Sequence, residues 1–302
     1  MPRRAHTARH RRLVQELRRL REQAGLRQED VARELDWSLS KQEKIERGAI
    51  SVRIADVRAM LDLFGLSGPK HREQYDALVR LARDARVKGW WNDYADAIPG
   101  WFESYVGFEA DASGLLIFQD QVIPGLLQTE DYARAIYEAV RPALAANQID
   151  RAVAARMERQ SRLTGDQALK IHAVLDEAVL HRRFGGSAVL HEQLLHLERM
   201  ARHPQADIEI QVRPFTAGAH PSVGTSFVIL RFQGPEDTNP DVVYLEDLTS
   251  SAYLEEDPHL FRYNLAFKGL SATALPEDES IDLIGRVAAR LLEQEGGRDG
   301  ES

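Results

Sequence analysis

Arg156 and Arg159 stand three residues apart in RMERQ (156–160), so on a helix both guanidiniums fall on one face. A guanidinium offers paired N–H donors, and Arg159 so placed suits a bidentate grip on a carboxylate or another anion. An ion pair with Asp176 or Glu177 would explain the same residues without any ligand. His220 follows Gly218 and precedes Pro221, in a loop where a polar side chain could reach a ligand or simply face water. HEQLLH (191–196) has the residue types of a metalloprotease helix, but its histidines are five positions apart. That turns them about 140° from one another, so they do not share a metal, and both are expected as partly exposed helix residues. The chain has no GxxxxGK[ST] phosphate loop, no GxGxxG turn and no GxSxG nucleophile elbow. No catalytic residue, cofactor or metal ligand is expected.

The balance of charge points elsewhere. The 302 residues carry a net charge of −8, unevenly divided. Residues 1–70 hold 16 lysines and arginines against 10 acids, a net of +6, and residues 71–302 hold 23 against 37, a net of −14. A basic head on an acidic body fits a nucleic-acid-binding module joined to something else. The length suggests two domains at roughly 150 residues each. There is no cysteine, which excludes a disulfide framework, thiol catalysis and thiolate-bound zinc, and which suits a reducing compartment. No apolar run is long enough for a membrane span, and the basic start has no apolar core of a secretory signal behind it. A cytoplasmic protein is expected, at the nucleoid when bound to DNA.

The elements of the head follow from spacing. Leu13, Leu17 and Leu20 predict a helix over 11–23, with Gly25 as its left-handed stop. A short helix over 28–35 turns Val31, Ala32 and Leu35 inward. The small Ala32 lets the next helix cross close by. Asp36 then sits at a sharp turn, and Asp is among the few non-glycine residues that tolerate a positive φ. Ser38 caps a helix over 38–47 closed by Gly48, and a fourth helix runs over 54–64.

This arrangement, and the string LRQEDVARELDWSLSKQEKIERG from 26 to 48, resembles the Cro/λ-repressor-like (XRE-type) helix-turn-helix family. The resemblance implies binding to double-stranded DNA. By position it implies that Gln28 anchors a phosphate and that Leu39, Ser40, Lys41 and Lys44 face the groove. Arg47 would hold the backbone, and Glu46 would pair with Arg21. Gln42 departs from the usual Ile or Val that seats this helix, and Glu43 puts an acid near the DNA face. Arg27, Gln28, Ser38, Leu39, Ser40, Lys41, Glu43, Lys44 and Arg47 are the DNA-binding candidates. Arg3, Arg4, Arg9, Arg11 and Arg12 form a basic arm suited to a minor groove or to water.

Gly68-Pro69 breaks the fourth helix, and 71–88 reads as a connecting helix. Beyond it, strand-length apolar runs at 115–121, 171–175, 208–212, 227–232 and 242–245 mix with helical patterns at 129–139, 148–163, 189–201, 258–270 and 279–293. The expected fold class is multidomain: an all-α helix-turn-helix domain (1–70), the connecting helix (71–88), an α+β domain (89–295) and a disordered tail (296–302). GWW (89–91), PGLLQTEDYARA (124–135), RMERQ (156–160), LDEAVLHRRFGG (175–186), QVRPFTAGAH (211–220) and VVYLED (242–247) resemble the C-terminal domain of actinobacterial WhiJ-like, antitoxin-like regulators. That resemblance implies a transcriptional regulator controlled by a small acidic partner protein encoded nearby or by a small-molecule effector. The alternative is an antitoxin-like protein whose main role is to neutralise such a partner. Gln128, Tyr132, Arg156, Arg159, Gln160 and His220 are the effector or partner candidates, with Trp90, Trp91 and Tyr244 as further lining of a cleft. A homodimer is expected, because one small head buries too little DNA surface for tight specific binding.

Overall fold

The computed structural model describes residues 8–87, 89–165, 168–220, 222, 225–233 and 240–296. Arg3, Arg4 and the tail after Gly296 lie outside the described residues. The chain divides into two units. The first holds the described residues up to Asp93 with Phe102–Asp111, and the second holds Tyr94–Trp101 and the described residues that follow Asp111.

In the first unit the expected helices form: α1 (Ala8–Gln23), α2 (Gln28–Glu34), α3 (Leu39–Glu46) and α4 (Ile54–Leu63). Leu13, Leu17 and Leu20 of α1 meet Val31, Ile45, Val57 and Leu61 in one core. Each such side chain contributes about 1.5–3 kcal/mol through its burial. Between α2 and α3 the chain turns on Asp36, the one non-glycine residue at positive φ (55°) among the described residues. The turn lets the Trp37 N–H donate to the Ala32 carbonyl at 2.7 Å, closing the end of α2. Ser38 caps α3 by accepting from the Lys41 N–H at 3.2 Å.

Two expectations about the head change. The helix over 71–88, read as a connector, forms as α5 (Arg72–Asp84) and sends Leu78, Val79 and Ala82 into the core of the first unit. Its apolar face needs cover, and α1 and α4 supply it. The basic arm is partly helix. Arg9 lies in α1 with Nε 2.9 Å from Asp111, and the buried Arg11 guanidinium stacks 5.4 Å from the Phe108 ring centroid. Those partners sit on α6 (Gly100–Asp111), a helix without a sequence signal because its apolar residues fall on all sides.

The second unit is built on a six-stranded mixed sheet: β1 (Gly114–Gln119), β2 (Lys170–Asp176), β3 (Ile208–Arg213), β4 (Phe227–Arg231), β5 (Val242–Glu246) and β6 (Ser251–Leu254). Their order is β3-β2-β1-β4-β5-β6. The first three run parallel, and β4, β5 and β6 join antiparallel. Parallel neighbours need crossovers, which here contain α7 (Glu130–Val140) and α8 (Ala146–Arg159) before β2, and α9 (Ser187–Ala201) before β3. α10 (Asp257–Thr273) lays Leu260, Phe267 and Leu270 against Phe118, Val174, Phe227 and Val243. α11 (Glu277–Gly296) packs on α9 and β3. The outer edge of β3 is covered by the junction of α10 and α11. There the Val212 N–H donates to Ser280 Oγ and the Leu275 N–H donates to the Val212 carbonyl, each at 2.9 Å. The α+β class stands as expected. Strand β6, only four residues long, is an addition.

Candidate nucleic-acid interface

Glu46 on α3 fixes the helix-turn-helix geometry. Its carboxylate accepts from Arg21 Nε at 2.6 Å and Nη2 at 3.0 Å, from Gln28 Nε2 at 2.7 Å and from Gln42 Nε2 at 2.8 Å. Arg21 also donates to the Leu26 carbonyl at 2.7 Å. One acid thus ties α1, α2 and α3 together. Burial alone would push the Glu46 carboxyl up, but the donated hydrogen bonds outweigh it and hold the group below the usual carboxylate value. The Arg21 guanidinium is raised in turn, chiefly by its hydrogen bonds to Glu46.

This explains Gln42. It is fully buried, and its amide seats α3 through Glu46 where an aliphatic residue would use packing alone. Its Oε1 is left without a partner. Gln28, expected at a phosphate, belongs to the same network.

The remaining candidates divide by what already holds them. Ser38, Leu39, Ser40, Lys44 and Arg47 are exposed on or beside α3, and Arg27 is exposed at the start of α2. Lys44 has no ion-pair partner among the described residues, so its charge is available to a ligand. Lys41 is not free in this way: its Nζ lies 3.2 Å from Asp56 and 3.5 Å from the Trp37 ring centroid. Glu43 is half-buried, and Arg47 Nη2 lies 3.6 Å from it while Arg47 Nε donates to its carbonyl. The acid near the DNA face is thereby partly neutralised.

In the second unit the residues marked for a ligand meet in a closed arrangement. The chain makes a single 3-10 turn at Gly125–Leu127 before α7. Gln128, only 2% exposed, donates to the Ile123 carbonyl at 2.6 Å and accepts from Arg156 Nη1. The Gln128 carbonyl accepts from Gln160 Nε2 at 2.7 Å. The Arg156 guanidinium lies 4.4 Å from the Tyr137 ring centroid, a cation–π contact. Burial is the main cause that lowers its pKa. Gly125 lies beside both guanidiniums: a Cβ there would come 3.4 Å from Arg159 Nη1 and 3.7 Å from Arg156 Nε, in ordinary contact. Gln193 of α9, invisible to sequence reasoning, accepts from the Thr129 N–H and donates to the Leu127 carbonyl, both at 2.7 Å. Thr129 caps α7 as expected, accepting from the Tyr132 N–H.

The ligand expectations for these residues change accordingly. Asp176 and Glu177 do not pair with Arg156. Asp176 lies 4.0 Å from Arg213, and Glu177 accepts from the Phe215 N–H. Tyr132 is fully buried with its ring edge-on to Phe184, and burial pushes its phenol up to about 12. A side chain with no exposed surface cannot line a cleft. Trp90 and Trp91 fall in the first unit and Tyr132 and Tyr244 in the second. His220 packs edge-on against Phe118 in a loop whose carbonyls 217, 218 and 219 are gathered by Arg213. His191 and His196 are partly exposed helix residues, as expected. Among the described residues no group of His, Asp or Glu is placed to hold a metal, and no helix is long and apolar enough to cross a membrane.

A five-helix head with an α2–turn–α3 unit and an exposed polar face on α3 is a helix-turn-helix domain, the mark of a DNA-binding regulator. A helix-turn-helix domain model matches residues 12–74. A model described as a domain of unknown function (DUF5753) matches residues 102–286, more than half of the sequence, and the chain belongs to that family. No curated protein and no solved structure matches the chain.

Proposed function

We propose that the protein is a sequence-specific transcriptional regulator that reads duplex DNA with α3 in the major groove. The exposed face of α3, with Ser40 and Lys44 outward while Glu46 locks the helix in place, carries this reading. Ser40 and Lys44 contact base edges, Leu39 meets a thymine methyl, and Glu43 accepts from a cytosine amine. Arg27 and Arg47 neutralise phosphates, and Lys41 joins them once it leaves Asp56. Ser38 and Gln28 act by positioning α3. Residues 1–70 are the reading head, and the protein binds paired half-sites roughly 34 Å apart as a homodimer. The acidic body is repelled by DNA, so its task is control, through a small partner protein or an effector. Gln128, Arg156, Arg159 and Gln160 serve there as scaffold for the 124–129 segment.

Selection of bound duplexes from a random pool, followed by titration of the enriched site, tests the reading. Lys44→Ala or Ser40→Ala relaxes preference at one base position and costs about 1–3 kcal/mol there. Arg27→Ala or Arg47→Ala weakens all sequences alike and flattens the salt dependence. A pool that shows no enrichment sinks the reading.

A further inference from the structure

α10 is apolar on two opposite sides. Its inner side carries Leu260, Phe267 and Leu270 and is covered by the sheet. Its outer side carries Phe261 and Leu265, which are 69% and 60% exposed. Spacing of four puts these two side chains one above the other, and Ala272 continues the same stripe. A helix apolar on both sides is usually covered on both. The outer stripe is also flanked by charges of opposite sign: Asp257 at the start of the helix and Lys268 near its end, both exposed and without an ion-pair partner among the described residues.

We infer that this stripe is where two copies of the chain meet, α10 against α10 and antiparallel. The inference rests on the homodimer reading above and names its contact. A two-fold axis passing beside residue 263 sets Phe261 of each copy against Leu265 of its mate. The same axis relates position 268 to position 258, so Lys268 of one copy meets Asp257 of the other. Both residues lie on the same flank of the stripe, as a two-fold axis demands. The opposite signs at the two ends of one helix thus become complementary only when the helix pairs with an inverted copy of itself. A parallel pairing would set like charges together.

Sedimentation of the full chain at a series of concentrations reads the proposal. The parent is expected to sediment as a dimer at micromolar concentration. Phe261→Glu with Leu265→Glu raises the dimer Kd at least about a hundredfold, and the thermal midpoint of the isolated protomer stays unchanged because both residues are exposed. Lys268→Glu and Asp257→Lys each weaken the dimer about tenfold, and the two together restore it. Because the chain has no cysteine, Phe261→Cys with Leu265→Cys gives an inter-chain disulfide under mild oxidation. A variant with glutamates at 261 and 265 that stays dimeric overturns this contact and leaves the homodimer reading intact. A monomeric parent, with and without its DNA site, overturns both.

Discussion

Glu46 in the first unit and Gln128 in the second occupy comparable positions: each is a nearly buried side chain that ties neighbouring segments together. Glu46 does so by accepting from three side chains, and Gln128 by accepting from Arg156 and donating to the Ile123 carbonyl. They differ in charge. Glu46 meets the Arg21 guanidinium with a full negative charge and two amide donors besides. Gln128 meets the Arg156 guanidinium with a neutral carbonyl, and the Tyr137 ring supplies the remaining electron density. The head therefore spends an ion pair on holding α3, the element that must keep its angle to DNA. The body holds the segment before α7 by hydrogen bonds and a ring contact, and among the described residues no carboxylate is hydrogen-bonded to the Gln128 side chain. Removing the acid of a buried ion pair strips a charge of its counter-charge, whereas removing Gln128 takes one hydrogen bond from a guanidinium that keeps its ring contact.

The largest effect is expected at Glu46. Glu46→Ala takes from the buried Arg21 its main partner, leaving only the half-exposed Glu22 at 3.2 Å as counter-charge, and costs about 3 kcal/mol. Urea denaturation reads the loss, and DNA binding goes with it. An effect below about 1 kcal/mol would erase the distinction between the clusters. Gln128→Ala takes one hydrogen-bond partner each from the Arg156 head group and the Ile123 carbonyl and costs about 1–3 kcal/mol, with the head and its DNA affinity unaffected.

Acid separates the two regions more cleanly. The folded-state pKa of Glu46 lies below its ordinary value of 4.5. Its contribution is therefore fully present above the unfolded value and is lost as pH falls through the folded one. The head weakens as pH drops from about 5 toward 3, and Glu46→Gln reduces that dependence, leaving the part due to Asp30, whose carboxyl the Arg27 N–H also holds below its usual value. Following the two units with separate fluorescent labels between those limits checks the sign. A Glu46→Gln head with the same acid dependence as the parent would assign the effect to other carboxylates. The smallest expected change is at Ser38, where Ser38→Ala removes the cap of α3 and costs about 1 kcal/mol in the thermal melt of the head.

Much of the head was legible because its signals are local. Leu13, Leu17 and Leu20 repeat at helical spacing, Ser38 caps, Gly48 stops, and Asp36 can take the positive φ that the turn requires. The pairing of Glu46 with Arg21 was legible only through the family resemblance, since the two are 25 positions apart. The sheet was readable as five of its strands, each an apolar run of the right length. Their parallel and antiparallel order was not, because pairing is decided by distant partners and by which faces the helices cover.

The sequence by itself determined the helix periods and the caps, which depend on neighbours within about four positions, and the division of charge and the absence of a recognisable catalytic motif, which need only the order of residues along the chain. Tertiary structure alone decided which polar residues are spent and which are free. Lys41 and Lys44 are the same residue type three positions apart on one helix, yet Lys41 folds onto Trp37 and Asp56 while Lys44 stays open. Arg156 and Arg159 share a helix face as their spacing requires, but what that face meets is Gln128 and Gly125, brought there by the turn before α7. A side chain's chemistry is set by its type, and its availability is set by what packs against it, which no local pattern encodes.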